Sequence, residues 1–230
     1  MPQIIPLNIT FPYGDGVQTL CPTLIADGDV LALADCGYPG QFPLLEAAIR
    51  AAGFSPDALT HVVLTHHDDD HMGAASALLR ACPRARVLAG AEEAPYIDGR
   101  ETSLRLRQAE ALQPSLPPEM QDWGRAFQAR LRAVEPVPVH RPLTDGEILP
   151  WCGGCRVMAT PGHTPGHISL FFPSLRTVIT GDAAVVENGA LSVANPQFAL
   201  DLSAAEASLT ALKALPADTY HCFHGGTLGR

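Results

Sequence analysis

Residues 66–71 read His66-His67-Asp68-Asp69-Asp70-His71, three imidazoles and three carboxylates in six consecutive positions. Such groups bind metal ions through nitrogen and oxygen, and a catalytic metal keeps one position open for water. In an extended segment, side chains two apart share a side. His66, Asp68 and Asp70 are therefore expected to face one way, and His67 and Asp69 the other. His71 is expected to open the helix that follows. Further along stand Gly162-His163, Gly181-Asp182 and His224-Gly225-Gly226. Glycine beside a ligand lets the backbone turn sharply and approach closely. A two-metal site needs about six or seven ligands. The chain offers His66, Asp68, Asp70, His71, His163, Asp182 and His224. His167 is read as a supporting or core histidine, because a ligating imidazole usually rests its second nitrogen on a neighbour.

The elements that would carry these residues alternate between strand and helix. Leu20–Ala26 and Val30–Ala34 read as strands joined by Asp27-Gly28-Asp29. Pro43–Ala52 has helical apolar spacing and ends at Gly53. His61–Thr65 reads as a buried strand leading into the His/Asp run, and Met72–Cys82 as a helix after it. Arg86–Ala89 is a further strand. Residues 95–142 break this rhythm with two amphipathic helices, Leu104–Leu112 and Trp123–Val134, around a Pro-rich link. They form a helical insertion that could cover the site. Tyr96, where the insertion starts, is the candidate substrate contact. Ile168–Phe172, Thr177–Thr180 and Thr219–Phe223 read as strands. Ser203-Ala204-Ala205-Glu206 reads as a capping box opening a helix to Leu215. Residues 1–230 are expected to form a single domain, as no repeat or linker interrupts them.

Bulk properties narrow the function. The chain has 230 residues, 47% apolar and 17% charged, which is ordinary for a globular protein with a sizeable core. No stretch reaches the roughly 18 apolar residues of a membrane span. The start lacks a basic segment followed by an apolar run, so a cytoplasmic location is expected. The formal charge is −9. Residues 98–135, rich in Arg, carry an equal number of acids, so no basic face for nucleic acid is expected. A small molecule is the expected partner. Oligomeric state is not readable. The six cysteines are irregularly spaced, and Cys152-Gly153-Gly154-Cys155 is read as a hairpin turn rather than a redox or metal motif.

His66-x-Asp68-x-Asp70-His71, Pro161-Gly162-His163-Thr164-x-Gly166-His167, Thr180-Gly181-Asp182 and His224-Gly225 stand in the order found in the metallo-β-lactamase superfamily, which the sequence thus resembles. The early Asp35-x-Gly37 turn matches as well. The resemblance implies an α/β fold, a four-layer αββα sandwich with metals at one edge of two facing sheets. It also implies that His66, Asp68 and His163 hold a first metal, that Asp70, His71 and His224 hold a second, and that Asp182 bridges them. Asp68 departs from the pattern, since most of the family has a third His there. Its hard oxygen shifts preference toward manganese or iron, with zinc still the first expectation.

The chemistry expected is hydrolysis. Two divalent ions can hold a bridging hydroxide and polarise a carbonyl. Asp70 is the candidate catalytic residue, ligating the second metal and orienting the hydroxide or protonating the leaving group. The substrate class is a small-molecule ester, lactone, thioester or amide. The alternative is a di-iron redox protein reducing oxygen or nitric oxide, suggested by the carboxylate at Asp68. No Gly-x-Ser-x-Gly elbow points to a serine hydrolase.

Overall fold

Side-chain alternation along the strands builds three apolar layers from one chain. The computed structural model describes residues 1–229. In chain order the first part runs β1 (Gln3–Pro6), β2 (Ile9–Tyr13), β3 (Gly16–Leu20), β4 (Thr23–Asp27), β5 (Val30–Ala34), α1 (Phe42–Ala51), β6 (His61–Leu64), α2 (Asp69–Met72), α3 (Ala75–Ala81) and β7 (Arg86–Gly90). Helices α4 (Ala94–Ile97), α5 (Leu104–Leu112) and α6 (Gln121–Arg132) precede β8 (Arg141–Leu143). The second part runs β9 (Ile148–Leu149), β10 (Cys155–Ala159), β11 (Ile168–Phe172), β12 (Thr177–Ile179), β13 (Val185–Glu187), β14 (Ala190–Ser192), α7 (Leu202–Lys213), β15 (Thr219–Cys222) and β16 (Gly226–Gly229).

One sheet has the order β1-β4-β5-β6-β7-β8 and the other β16-β15-β12-β11-β10-β9. In β5, Leu31 and Leu33 join a core with Leu45 and Ile49 of α1 and Leu78 of α3. Ala32 and Ala34, pointing the other way, join Leu170 and Phe172 of β11 between the sheets. Phe171, one residue out of step, packs with Leu212 of α7 and Tyr220 of β15 on the far side. The period of two thus sorts each strand between an inter-sheet core and a helix-covered face. The result is the four-layer αββα sandwich expected from the motifs.

Several boundaries differ from the sequence reading, each for a local reason. The helix expected over Met72–Cys82 begins earlier and is split into α2 and α3. Gly73 lies against Pro39 and the Asp69 carbonyl, where an added Cβ would come within 2.2 Å of both. The Ala74 amide then donates to Gly37 O at 3.0 Å, a bond outside the helix. Helix α7 is capped by Asp201, whose side chain accepts from the Ala204 amide at 2.9 Å, and not by Ser203. The β13–β14 hairpin turns through Asn188 and Gly189, both at positive φ, an Asn-Gly signal the sequence reading passed over. β9 and β10 pair antiparallel across the Cys-Gly-Gly-Cys turn, as expected. All six cysteines are buried and free. Among the described residues, no helix is long and apolar enough to cross a membrane.

His221 sits in β15 with Nδ1 2.9 Å from Thr227 Oγ1 on β16. Burial pushes its imidazole down to about 4. An unfolded chain would take up that proton near pH 6.5, so protonation favours unfolding as pH falls from about 6.5 toward 4. The contribution is up to about 1.4 kcal/mol per pH unit in that window and vanishes above it. His221→Asn is expected to flatten the acid limb of melting temperature against pH. An unchanged slope would contradict this.

Candidate metal centre

The chemistry-bearing residues collect where strands end. β5 and β6 run parallel, as do β12 and β15. Asp35 follows β5, His66 lies just past β6, Asp182 just past β12 and His224 just past β15. Carboxyl ends of parallel strands are the usual place for a site in open α/β sheets, because the chain must turn there and its side chains fan outward. The two sheets are tied at this edge by backbone bonds. Ile168 N donates to Thr65 O at 3.1 Å, and Cys21 N donates to Phe223 O at 2.9 Å. Gly181 is needed at the turn before Asp182. Its φ is +53°, and a Cβ there would stand 2.6 Å from His167 Nε2.

The structure brings together all seven residues expected to ligate metal. Asp68 Oδ2 lies 3.0 Å from His163 Nε2 and 3.6 Å from His66 Nε2. Asp70 Oδ2 lies 3.1 Å from His224 Nε2 and 3.8 Å from His71 Nε2. Asp182 stands between the two groups, with Oδ1 3.3 Å from His71 Nε2 and 3.6 Å from His224 Nε2, and Oδ2 3.5 Å from His163 Nε2. The buried Nε2 atoms of His66 and His71 and Oδ1 of Asp182 have no hydrogen-bond partner. Buried polar atoms are nearly always satisfied, so convergent orphans of this kind fit a cation that they would share.

The opposite nitrogens of His66 and His71 are fixed. His71 Nδ1 meets Asp35 Oδ2 at 2.9 Å, and the same carboxylate accepts from Thr65 N at 2.9 Å and Thr65 Oγ1 at 2.9 Å. Asp35 reaches this position from a left-handed backbone, φ +58°. His66 Nδ1 lies 3.0 Å from Thr65 Oγ1. His167 does not join the ligand groups. Its Nδ1 meets Thr160 Oγ1 at 2.8 Å and its Nε2 accepts from Asp182 N at 2.9 Å, so it braces Asp182. Burial, with His163 nearby, pushes it down to about 3, and it acts as a neutral acceptor.

Charge in the cluster is arranged in two halves. Burial and the neighbouring His71 hold His66 well below the usual imidazole range, leaving Nε2 a free lone pair. Burial would also lower His71, but Asp182, Asp70 and Asp35 outweigh it and raise the ring well above that range. Burial opposes ionisation of Asp68, yet Arg105 and His163 hold it well below the ordinary carboxylate range. Asp182 is held low against burial by His224 and His71.

His67 and Asp69 face other partners, as the two-residue step suggested. His67 Nδ1 hydrogen-bonds the buried Glu93 carboxylate, which also accepts from Thr164 Oγ1 at 2.6 Å and Gly166 N at 2.9 Å. Asp69 pairs with Arg130 of α6 at 2.6 Å. The run itself is not extended throughout. It is extended at Asp68 and helical from Asp69, so Asp70 and His71 reach the site from the short helix α2 rather than from a loop. Tyr96 stacks on His67, 4.8 Å between ring centroids, and lines a small side cavity of about 270 Å³ instead of the main cleft.

That cleft, about 600 Å³, opens onto Asp68, Asp70, His163, Asp182 and His224. Tyr13, Tyr38, Phe127, Phe198, Val185 and Val186 supply its apolar walls, and Arg105 and Arg130 complete them. Arg105, Glu93 and the bracing role of Asp35 were missed in sequence. The available signal was charge balance: Asp68 adds a buried negative charge that needs a cation, and α5 carries arginines.

The sequence matches the family model of the metallo-beta-lactamase superfamily over residues 22–224. A probable metallo-hydrolase of Bacillus subtilis (strain 168) is 31% identical over 162 residues, 66% of this chain and 55% of that protein. A hydroxyacylglutathione hydrolase of Synechococcus sp. is 29% identical over 199 residues, 83% of this chain and 58% of that protein. The chain thus spans less than two thirds of the length of either. Among solved structures, a metallo-beta-lactamase family protein from Thermus thermophilus superposes with a TM-score of 0.73 and 25% identity, covering 98% of this chain and 74% of the other.

Asp35→Ala should leave His71 Nδ1 without its brace. Loss of such an outer partner typically weakens metal binding about 10–100-fold. Zinc affinity measured by chelator competition is expected to fall by that factor, and an unchanged affinity would refute the bracing role.

Proposed function

The chain belongs to the metallo-beta-lactamase superfamily, and on that premise we propose that it is a metal-dependent hydrolase of a small-molecule ester, lactone, thioester or amide. The observation that carries this reading is the convergence of buried, unpartnered donors, His66 Nε2, His71 Nε2 and Asp182 Oδ1, at the floor of an open cleft. Three overlapping donor groups, His66-Asp68-His163, His66-His71-Asp182 and Asp70-His71-His224, each lie close enough to share an ion, and we read them as two positions. His66, Asp68 and His163 would form the first, and Asp70, His71 and His224 the second, with Asp182 between them. Nitrogen and carboxylate donors suit zinc first, with manganese or iron as alternatives. A bound divalent ion would supply Lewis acidity and lower the pKa of water toward neutrality.

The chain's own groups do the rest. Asp70 is partly open to the cleft and close to His224 Nε2, so its carboxylate can take a proton from attacking water and return it to a leaving group. The apolar wall of Phe127, Phe198, Val185 and Val186 suits the acyl part of a substrate. Tyr13, Tyr38, Phe127 and Phe198 are therefore the proposed substrate contacts, in place of Tyr96. The metallo-hydrolase and hydroxyacylglutathione hydrolase names carried by relatives favour hydrolysis over redox chemistry, and the second of these makes thioesters the first substrates to screen.

Asp70→Ala is expected to lose the ion at the second position and to lower hydrolysis of an ester and thioester panel at least about 100-fold. His67→Ala, which removes a group facing Glu93, should keep its metal. Full turnover in the Asp70 variant would overturn the proposal.

A further inference from the structure

The first metal position already holds a cation supplied by the protein. Arg105 projects from the first turn of α5 and is 2% exposed. Its Nη2 lies 2.8 Å from Asp68 Oδ2 and 3.4 Å from His163 Nε2, two of the three donor atoms of that position. Its Nε donates to Asp68 Oδ2 at 3.1 Å. Nη1 donates to Gln108 Oε1 at 2.7 Å, and the guanidinium carbon sits 5.2 Å from the Phe198 ring centroid. The group is thus held on several sides and has no need to move. Nothing comparable stands at the second position among the described residues. The charged groups within about 4 Å of Asp70 and His224 there are Asp182 and His71, and the His71 and Asp182 donor atoms are unpartnered.

Resting on the hydrolase reading, we infer that Arg105 takes the place of the first ion, so that the protein holds one metal tightly at Asp70, His71, His224 and Asp182. The carboxylate at Asp68 and the guanidinium at Arg105 form a compensated pair. A divalent ion entering between His66, Asp68 and His163 must face a fixed positive charge a few ångströms away, in a buried setting where water screens little. It must also take Asp68 from a two-bonded guanidinium, which is among the stronger pairings a carboxylate makes. The second position offers a different balance: its carboxylates face imidazoles, which are themselves metal donors, and no guanidinium stands there among the described residues.

The test is a zinc titration of the metal-free chain by calorimetry, with elemental analysis after gel filtration. The wild type should bind one ion tightly, and any second at least about 100-fold more weakly, the scale expected for a buried charge conflict. Arg105→Met keeps the bulk and removes the charge. It should retain two ions, with affinities within about tenfold of each other. Circular dichroism checks that the variant is folded, and the wild-type stoichiometry stands as a test even if it is not. Two equally tight ions in the wild type would overturn the inference and leave the hydrolase reading intact. A folded Arg105→Met still holding one ion would also overturn it. No ion in either protein would overturn the metal-dependent reading itself, and the inference with it.

Discussion

Asp68, Asp70 and Asp182 lie close together at the floor of the cleft, the first and last of them buried, and this crowding of negative charge is the constraint the site is built around. Buried carboxylates are tolerated only when paired. Here the partners are divided. Asp68 is met by Arg105 and His163, while Asp70 and Asp182 are met by His71 and His224. The pairing leaves Nε2 of His66 and of His71 and Oδ1 of Asp182 without hydrogen-bond partners. A protein optimised for stability alone would satisfy or remove them. Their position at the floor of a cleft suits a shared cation better than a closed salt-bridge network.

Holding such a cluster open requires rigidity from outside it. The imposed positions are fixed by residues on other elements. Asp35, past β5, anchors Thr65 past β6 and His71 in α2. Glu93, before α4, joins His67 to Thr164 and Gly166 in the loop that carries His163. His167 anchors the Asp182 amide. The framework is therefore a set of buried hydrogen bonds that crosses between the two sheets and holds the candidate ligand residues in place. The left-handed backbone of Asp35 is sustained by this set, since its carboxylate makes three bonds at once.

Much of this was readable from residue types. The strands Val30–Ala34 and Ile168–Phe172 and the helix Leu104–Leu112 have the bounds that periodicity gives them. The seven ligand-type residues meet in space because the motif order encodes a fold already specified by alternating burial. What escaped was set by tertiary contact. The break between α2 and α3 depends on Pro39 lying against Gly73, a neighbour distant in sequence. Asp201 and Ser203, on either side of Leu202, are both cap-type residues at the start of α7, and only geometry selects Asp201. The strands β1 and β2 near the N-terminus carry too few apolar residues in register to stand out. Arg105 was hidden because a helix's charged residue is ordinarily solvated, and its orientation into the core cannot be seen from spacing.

The pairing of Asp68 with Arg105 joins two questions that sequence kept apart, the odd ligand and the inserted helices. A carboxylate at position 68 without a matching cation would add a buried negative charge to a cluster already rich in them. An arginine on α5 without Asp68 would bury a guanidinium beside His163. Each residue makes the other tolerable, so the insertion is part of the electrostatics of the centre and not merely a cover. Arg130 follows the same logic one layer out. It pairs with Asp69, whose carboxyl is pushed up to about 7 by burial and by Asp70, and it lies over Tyr38 and Phe127. The two arginines thus tie α5 and α6 to consecutive members of the His/Asp run. Any motion that lifts these helices must uncover carboxylates as it opens the cleft, so the shape of the cleft and the charge at the candidate metal positions cannot vary independently.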